Sequence, residues 1–377
     1  MAIYLDCNAT TPVEPSVASV VMRFLEKDFG NAASPIHDHG VFALAAVEHA
    51  RGQIAEVVKA RRDEVIFTSG ATESNNLALL GLAEAGTKSG RRHLIATAIE
   101  HKAVLEPLEE MARLGFEVQI LPVQADGRID PQRLSDALRP DTLLVSTMHV
   151  NNETGVFQPL TEVADILSNR ETWWHVDAAQ GFGKELEQLR NPRIDLISIS
   201  GHKIYGPKGV GALIARKHDR QFPPLRPLMF GGGQEQGLRP GTLPVPLIAG
   251  LGEAAKLAVR NNAERIEKCR MFRHKILPPF LALGAAQNGT EEYTLPHVLN
   301  VSLPGINSEQ AIKALKRVIA VSSTSACTSH TRTPSHVLGA MGLSSEKVEQ
   351  SIRLSWCHMT PEVDWSEVEH ILRALRG

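Results

Sequence analysis

Residues 173–203 read WWHVDAAQGFGKELEQLRNPRIDLISISGHK. Two short apolar runs, Trp173–Asp177 and Leu196–Ser200, stand on either side of a polar stretch and predict two β-strands. The first run ends in Asp177, and the second is followed by Gly-His-Lys, which ends at Lys203. Ligands of α/β sheets bind at the carboxyl ends of strands. The stretch therefore predicts that an acid and a lysine lie at neighbouring strand ends.

Strand-like runs alternate with helical patterns on both sides of this stretch. The further strand candidates are Glu64–Thr68, His93–Ala98, Glu117–Leu121, Thr142–His149 and Gly211–Ala215. The helix candidates are Val41–Lys59, Asn75–Ala85, Ala103–Leu114, Asp130–Leu138 and Leu160–Asn169. This alternation predicts an α/β fold with a large, mostly parallel sheet that helices cover on both faces.

A different pattern follows Gly241. A long helical pattern over Leu247–Leu277 is expected to end at Pro278 and Pro279. Beyond it lie the strand candidates His297–Leu303, Val318–Ser322 and Ser351–Trp356 and the helix candidates Ser308–Lys316 and Asp364–Leu375. We expect residues 13–257 to form a large domain and residues 1–12 and 258–377 a smaller α+β domain.

Composition excludes several classes of protein. The 377 residues are 43% hydrophobic, with 40 basic and 42 acidic side chains, so no broad field attracts nucleic acid or a membrane. No apolar run is long enough to span a membrane, and no signal peptide is visible. Four cysteines at 7, 269, 327 and 357 form no regular framework. This pattern favours reduced thiols and a cytoplasmic location.

Lys203 and Asp177 together suggest chemistry with a pyridine-ring cofactor. A lysine at a strand end can form a Schiff base if its ammonium is partly discharged. A buried aspartate needs a partner, and a pyridinium nitrogen would supply one while the carboxylate keeps it protonated. Taken singly, a solvated lysine and a helix N-cap are the alternatives.

Other strand ends offer the remaining parts of such a site. Ser69–Ser74 leads from a strand into a helix, where free N–H groups suit a phosphate or a plain cap. Ser200 and His202 could add donors to that phosphate. His101 could stack on a planar ring, and Asn152 could contact its oxygen, although each alone is an ordinary loop residue. A zinc site is disfavoured, because Cys327 and the histidine three residues later lack a second pair.

The polar stretch Ser322–Pro334 contains Cys327 and no large apolar side chain, which predicts a flexible segment. By itself a lone cysteine is usually an inert small hydrophobe, and a reactive nucleophile is the less common alternative.

These motifs together closely resemble the fold-type I, class V aminotransferase family, and within it the cysteine desulfurases. The resemblance runs nearly end to end and is carried by Tyr4–Asp6, Asn8–Pro12, Phe29–Asn31, Ser69–Leu77, Glu100–Val104, Met148–Glu153, Val176–Gln180, Ser200–Gly209, Gly231–Glu235, Arg239–Thr242, Ser325–Cys327 and Ser351–Arg353.

The resemblance implies pyridoxal 5′-phosphate as cofactor, L-cysteine as substrate and a role for each matching residue. Lys203 is the Schiff-base lysine and α-proton base, Cys327 the persulfide-forming nucleophile and His101 the catalytic residue stacked on the ring. The other implied cofactor ligands are Gly70, Ala71, Thr72, Asn152, Asp177, Gln180, Ser200, His202 and, from a second subunit, Thr242. The substrate ligands are Asn8, Ala9, Asn152 and Arg353. No metal is implied.

The resemblance also implies partners and a pathway. A site completed by Thr242 implies a homodimer, and a persulfide implies a sulfur-acceptor protein, with nucleic acid reached only indirectly. Thr324 replaces a frequent glycine, Cys7 replaces a frequent tyrosine, and Cys7 and Cys357 are predicted to be structural. Only Arg376 and Gly377 follow the last predicted helix, and this short C-terminal segment favours a sulfur donor for a single pathway, such as the DNA phosphorothioation desulfurases. Iron–sulfur assembly and tRNA thiolation are alternative pathways, and a selenocysteine lyase or another class V aminotransferase is the alternative activity.

Overall fold

A computed structural model describes residues 1–218, 221–323 and 334–376. Its helices are α1 (Pro15–Glu26), α2 (Asp38–Val57), α3 (Ala71–Leu80), α4 (Ala83–Ser89), α5 (Lys102–Arg113), α6 (Pro131–Ala137), α7 (Leu160–Leu167), α8 (Val245–Arg260), α9 (Asn262–Ala282), α10 (Ser308–Leu315), α11 (His336–Ala340), α12 (Ser345–Glu349) and α13 (Trp365–Ala374). Its strands are β1 (Ile3–Tyr4), β2 (Val65–Thr68), β3 (His93–Thr97), β4 (Glu117–Leu121), β5 (Thr142–Met148), β6 (Trp173–Asp177), β7 (Leu196–Ser200), β8 (Gly211–Ala215), β9 (Ala286–Gln287), β10 (Val298–Ser302), β11 (Ile319–Ala320), β12 (Ser322–Ser323) and β13 (Ser351–Ser355).

The largest sheet has seven strands in the order β2-β8-β7-β6-β5-β3-β4. Pairing is parallel from β7 to β4, and β8 is antiparallel to both of its neighbours. The predicted α/β fold with a mostly parallel sheet is therefore confirmed. In this register Asp177 on β6 lies beside Met148 on β5 and Ser198 on β7, so the strand ends meet at one edge.

Both faces of this sheet are covered, which explains the nearly continuous apolar runs of its strands. Successive residues point to opposite faces. Leu94 on β3 packs in a core cluster with α3 and α5, whereas the next residue, Ile95, packs in the cluster with α2 and α8.

The C-terminal region forms a second, antiparallel sheet in the order β12-β13-β10-β9. Strand β1 pairs with β11 in parallel, so the N-terminus joins this region, and Leu5 packs in its core with Phe280 and Trp356. Two separate cores are what the expected large domain of residues 13–257 and smaller domain of residues 1–12 and 258–377 would have. The domain bounds themselves remain a prediction.

Two local predictions were wrong. The pattern over Leu247–Leu277 is two helices that meet at Asn261, a residue type that favours helix ends over interiors. Pro278 and Pro279 lie inside α9 rather than ending it. Each proline removes one N–H group, but burial of Phe280 beyond them keeps the chain helical to Ala282.

The predicted strand Val318–Ser322 is also divided. Its residues fall into β11 and β12, which belong to different sheets.

In the described part of the chain, no helix combines the length and the apolar character that crossing a bilayer requires.

Candidate active site

The strand ends of the large sheet open into a cavity of about 590 Å³. Its lining contains most of the residues that the sequence singled out, namely Asn8, Ala9, Gly70, Ala71, Thr72, His101, Asn152, Asp177, Gln180, Ser200, His202, Lys203 and Arg353. The structure therefore brings together residues from both ends and the middle of the chain. Their individual roles remain predictions.

Lys203 lies in a short 3-10 turn that follows β7. Its ammonium donates hydrogen bonds to the backbone carbonyls of Asn8 at 2.5 Å and Ala9 at 2.8 Å. The N-terminal segment thus holds the lysine at the cavity wall. Both acceptors are backbone carbonyls, and these two contacts fix the position of Nζ.

Asp177 ends β6 and is only 5% exposed. Its carboxylate accepts hydrogen bonds from the Asn75 side-chain amide at 2.8 Å and from the Ala179 backbone amide at 3.0 Å. These neutral donors orient the carboxylate without neutralising it. A buried, oriented carboxylate suits a cationic ring nitrogen better than it suits a helix cap.

Two histidines in the cavity wall are held neutral. His101 begins α5, and its Nδ1 accepts a hydrogen bond from the Ala103 amide at 3.1 Å. Burial lowers the pKa of His101, and Lys203 lowers it further, although Asp177 opposes both. Burial and then Lys203 also lower the pKa of His202 to about 4. A neutral imidazole can lie on an aromatic ring without charge repulsion.

The N-terminus of α3 is an open anion site on the other side of the cavity. Gly70 is the capping residue, and no side chain of the described residues caps this helix end. Its first N–H groups, at Ala71 and Thr72, therefore belong to residues that line the cavity and have no side-chain cap there. Strand β8 passes so close that a side chain at Gly211 would lie 2.4 Å from the Ile199 carbonyl oxygen and 2.6 Å from the Gly70 Cα. Glycine at 211 therefore keeps the cradle next to Ser200.

These features fit pyridoxal phosphate. In the described residues, the side-chain oxygens of Asn8, Asn75 and Gln180 are buried without a hydrogen-bond partner, which is unusual for native proteins unless a ligand or water is involved. Gln180 Nε2 donates to the Asn8 carbonyl at 2.9 Å, so its oxygen is the end left for a ring hydroxyl. With Lys203 and the anion cradle, the donor set matches an aldehyde, a phenol and a phosphate.

Arg353 on β13 completes the opposite wall and is buried. Its guanidinium donates to the Asn152 carbonyl at 2.9 Å, to Asp6 at 2.6 Å and to the Ser322 hydroxyl at 2.8 Å. Its Nε has no partner in the described part of the chain. Arginine suits a carboxylate ligand, and here Asp6 already takes part of its donor capacity.

Two predicted residues are not found in the lining for different reasons. Thr242 is exposed and absent from the lining, so a single chain does not test its predicted reach into a partner. Cys327 lies outside the described residues. The described chain stops before it at Ser323, next to the Arg353 contact, and resumes at Pro334.

Sequence reasoning missed residues that support the site from behind. Asn75 and Asp6 stand out in the sequence only as members of longer motifs. Glu100 is fully buried beneath His101, and burial raises its pKa to about 8. Glu153 accepts a hydrogen bond from Ser335, and burial raises its pKa to about 7. The adjacency of Glu100 to His101 was the one available signal.

Comparisons with known proteins agree with this geometry. A family model described as "Aminotransferase class-V" matches residues 3–368. Cysteine desulfurase IscS of Escherichia coli O139:H28 is 45% identical over 379 residues, covering 100% of this chain and 92% of that protein. Among solved structures, a "NIFS-LIKE PROTEIN" has a TM-score of 0.90 at 38% identity and covers 100% and 98% of the two chains. DndA from Streptomyces lividans has a TM-score of 0.83 at 50% identity, covering 93% and 98%. A structure of SspA in complex with cysteine has a TM-score of 0.82 at 35% identity, covering 96% and 100%.

Proposed function

The chain belongs to the class V aminotransferase family, and from this premise we propose that its cavity converts L-cysteine to L-alanine and passes the sulfur to Cys327. It is a pyridoxal-phosphate-dependent cysteine desulfurase. The observation that carries the residue assignments is the meeting of Lys203, Asp177 and Arg353 around one cavity. The complex of the related SspA with cysteine supports the substrate.

When bound, pyridoxal phosphate supplies an electron sink for the pair released at the amino acid's α-carbon. Asp177 would keep a proton on the ring nitrogen, because its buried carboxylate accepts hydrogen bonds from the neutral amides of Asn75 and Ala179. Lys203 Nζ would hold the cofactor and would accept the α-proton of the bound amino acid. The Asn8 and Ala9 carbonyls hold Nζ at the cavity wall.

Arg353 binds the substrate carboxylate and so fixes which bond of the α-carbon faces Lys203. Nη1 donates to the Asn152 carbonyl and Nη2 to Asp6 and Ser322, so the substrate carboxylate would share these donors. The substrate carboxylate and the Asp6 carboxylate then share the positive charge of the Arg353 guanidinium.

We propose that Cys327 supplies the nucleophile for this substrate, which the short distance along the chain from Ser323 supports. It follows Ser323 by four residues, which span at most about 14 Å when extended. Its thiolate attacks the substrate sulfur, an S–S bond forms, the C–S bond breaks, and its electron pair stays with the carbon skeleton. Protonation of that carbon gives alanine, and the persulfide remains on Cys327.

The test separates the two assignments. Purified holoenzyme is mixed with cysteine, and alanine and Cys327 persulfide are measured together. Lys203→Ala should abolish the visible absorbance of the lysine-bound cofactor. Cys327→Ser should keep that absorbance but lose persulfide formation and sulfide release. The control Cys269→Ser should keep the absorbance, the persulfide and the sulfide release. Full turnover in Cys327→Ser would defeat the nucleophile assignment.

We further propose a homodimer in which Thr242 reaches the cofactor of the partner. Large apolar side chains stand exposed on the described surface, among them Phe29, Ile36 at 92% exposure and Phe230 at 81%. Such exposure is unusual unless another chain covers it. Mixing Thr242→Ala with Lys203→Ala subunits should restore activity, because one of the two sites then carries neither change. A monomeric mass in light scattering would refute the dimer.

For the pathway we propose DNA phosphorothioation, with iron–sulfur assembly and tRNA thiolation as alternatives, and a cytoplasmic location. The 50% identity to DndA supports a dedicated donor, and the 45% identity to IscS supports the alternatives. Persulfide-loaded enzyme should lose its labelled sulfur to a phosphorothioation-pathway acceptor. Transfer only to an iron–sulfur scaffold protein would overturn this choice. Equal alanine release from cysteine and selenocysteine would favour the lyase alternative.

A further inference from the structure

Two cysteines that look unrelated in the sequence are neighbours in the fold. Cys7 follows β1 and is 1% exposed, and Cys357 follows β13 and is 4% exposed. The Cys7 amide donates to the Ser355 carbonyl at 2.9 Å, which holds the two segments side by side. Their side chains pack in one buried cluster with Tyr205.

The surroundings of this pair favour one thiolate. The neighbouring Cys7 thiol lowers the pKa of Cys357 to about 6 against the effect of burial, and the Met359 amide and the Thr360 hydroxyl, which donates to the Cys357 sulfur at 3.6 Å, lower it further. The neighbouring Cys357 and burial raise the pKa of Cys7, so the proton stays there. A thiol beside a thiolate is the arrangement from which disulfides form.

Lys184 gives this pair a counter-charge that the proposed mechanism does not use. It is 9% exposed, and its ammonium has no hydrogen-bond partner in the described residues, although it interacts electrostatically with Cys7, Cys269 and Cys357. A buried ammonium without a partner is costly, and a nearby thiolate offsets that cost.

A cavity beside this pair, which neither Cys7 nor Cys357 itself lines, would let a small oxidant approach their neighbours. Lys184, Tyr205 and Cys269 line a cavity of about 670 Å³ that is separate from the active site. Burial raises the pKa of Cys269 to about 12, so it stays protonated and is a weak competitor for the oxidant.

We propose that Cys7 and Cys357 are a redox-active pair that hydrogen peroxide converts to an intramolecular disulfide. The Cys357 thiolate attacks one peroxide oxygen, the O–O bond breaks, and sulfenic acid forms while the departing hydroxide takes a proton to become water. Cys7 then loses its proton and attacks the Cys357 sulfur, the S–O bond breaks, and a second water leaves. Two thiols are oxidised by two electrons, and one peroxide is reduced to two waters.

The pair lies directly behind the active site. Cys7 precedes Asn8 and Ala9, whose carbonyls hold Lys203, and Cys357 closes the segment that begins with Arg353. Disulfide formation draws these two segments together and weakens cysteine binding. This last effect rests on the proposed function, whereas the disulfide itself does not.

The experiment uses Cys327→Ser holoenzyme, so that the proposed nucleophile cannot react. Peroxide treatment should reduce the thiols titrated after denaturation from three to one. Non-reducing peptide mapping should find Cys7 linked to Cys357, and dithiothreitol should reverse the link. Recovery of Cys7 and Cys357 as unlinked thiols or as separate oxidised acids would overturn the proposal.

Further variants keep the order of attack testable. In a Cys7→Ser background, dimedone should label Cys357, and labelling of Cys269 instead would contradict the order. Cys269→Ser should still form the link, and its loss there would overturn the pairing. Cysteine titration followed by cofactor absorbance should give a several-fold weaker affinity after oxidation. If the disulfide forms and the affinity for cysteine does not change, the proposed effect of the disulfide on substrate binding is refuted but the disulfide itself is not. Failure of the unoxidised enzyme to bind cysteine would instead count against the proposed function.

Discussion

Glu100→Gln should change the pH dependence of stability more than any other single substitution behind the active site. Glu100 is fully buried, and one carboxyl oxygen accepts hydrogen bonds from the Thr97 hydroxyl at 2.6 Å and the Met148 amide at 2.8 Å. The other oxygen has no partner in the described part of the chain. Burial raises the pKa of Glu100 from 4.5 to about 8, with a further contribution from the charge of Asp177.

The sign follows from proton linkage. Below pH 4.5 the carboxyl is protonated in both the folded and the unfolded chain, so Glu100 imposes no penalty. As pH rises towards about 8, the unfolded chain ionises while the folded chain keeps its proton, so the folded state progressively loses stability. At about 1.4 kcal/mol per pH unit, the whole window is worth roughly 5 kcal/mol, and the part from pH 5.5 to 8 about 3 kcal/mol. Glutamine has the same shape and no proton to lose.

The assay is urea unfolding of wild type and Glu100→Gln at pH 5.5, 6.5, 7.5 and 8, with the exposed Glu109→Gln as control. The variant should gain stability over wild type steadily with pH, and the control should track wild type. Other titrating groups cancel in the difference. A difference that stays constant across this range would mean that Glu100 is ionised in the folded protein and would refute the reasoning.

Three further changes follow from contacts around the site. Asn75→Ala removes the hydrogen bond to the Asp177 carboxylate, and a bond to a charged group is worth about 1.5–3 kcal/mol. The cofactor dissociation constant should therefore rise about tenfold or more. The control Asn76→Ala, whose side chain bonds only within its own helix in the described residues, should leave that constant unchanged. Arg353→Lys should raise the KM for cysteine about 10- to 100-fold while cofactor absorbance is kept, because lysine lacks the planar guanidinium that binds a carboxylate through two N–H groups. Loss of cofactor absorbance together with cysteine binding would contradict a substrate role. Glu235→Gln replaces the bidentate carboxylate on the buried Arg51 guanidinium by a neutral amide and leaves Glu48 as its charged partner, so urea unfolding should report a loss of about 3 kcal/mol. A loss below about 1 kcal/mol would be inconsistent with the pair of Arg51 and Glu235.

The parts of the fold with strong local patterns could be predicted from the sequence. The strands Trp173–Asp177 and Leu196–Ser200 have the predicted bounds, because both are buried on two faces and end at polar residues. The long helix after Gly241 was wrong, because its break at Asn261 and its continuation through Pro278 depend on packing that no local pattern encodes.

The site shows the same limit. Residues at strand ends, such as Asp177 and Lys203, can be recognised, because each is polar at the end of an apolar run. Asn75 cannot, because its value lies in the 2.8 Å contact with Asp177 across the sheet. The pairing of Cys7 with Cys357 is equally hidden, since it depends on the N-terminal segment crossing to the C-terminal sheet.

The same N-terminal segment bears on the proposed substrate binding. Arg353 is buried and already donates to Asp6 at 2.6 Å, so its charge is compensated before any amino acid arrives. If Arg353 binds the substrate carboxylate as proposed, that carboxylate gains only the difference between its own contact and the part of the Asp6 contact that it displaces. Asp6 belongs to the same segment as Asn8, whose carbonyl accepts a hydrogen bond from Lys203. A shift of Asp6 on substrate binding would therefore reach, two residues along the chain, the carbonyl that positions Lys203.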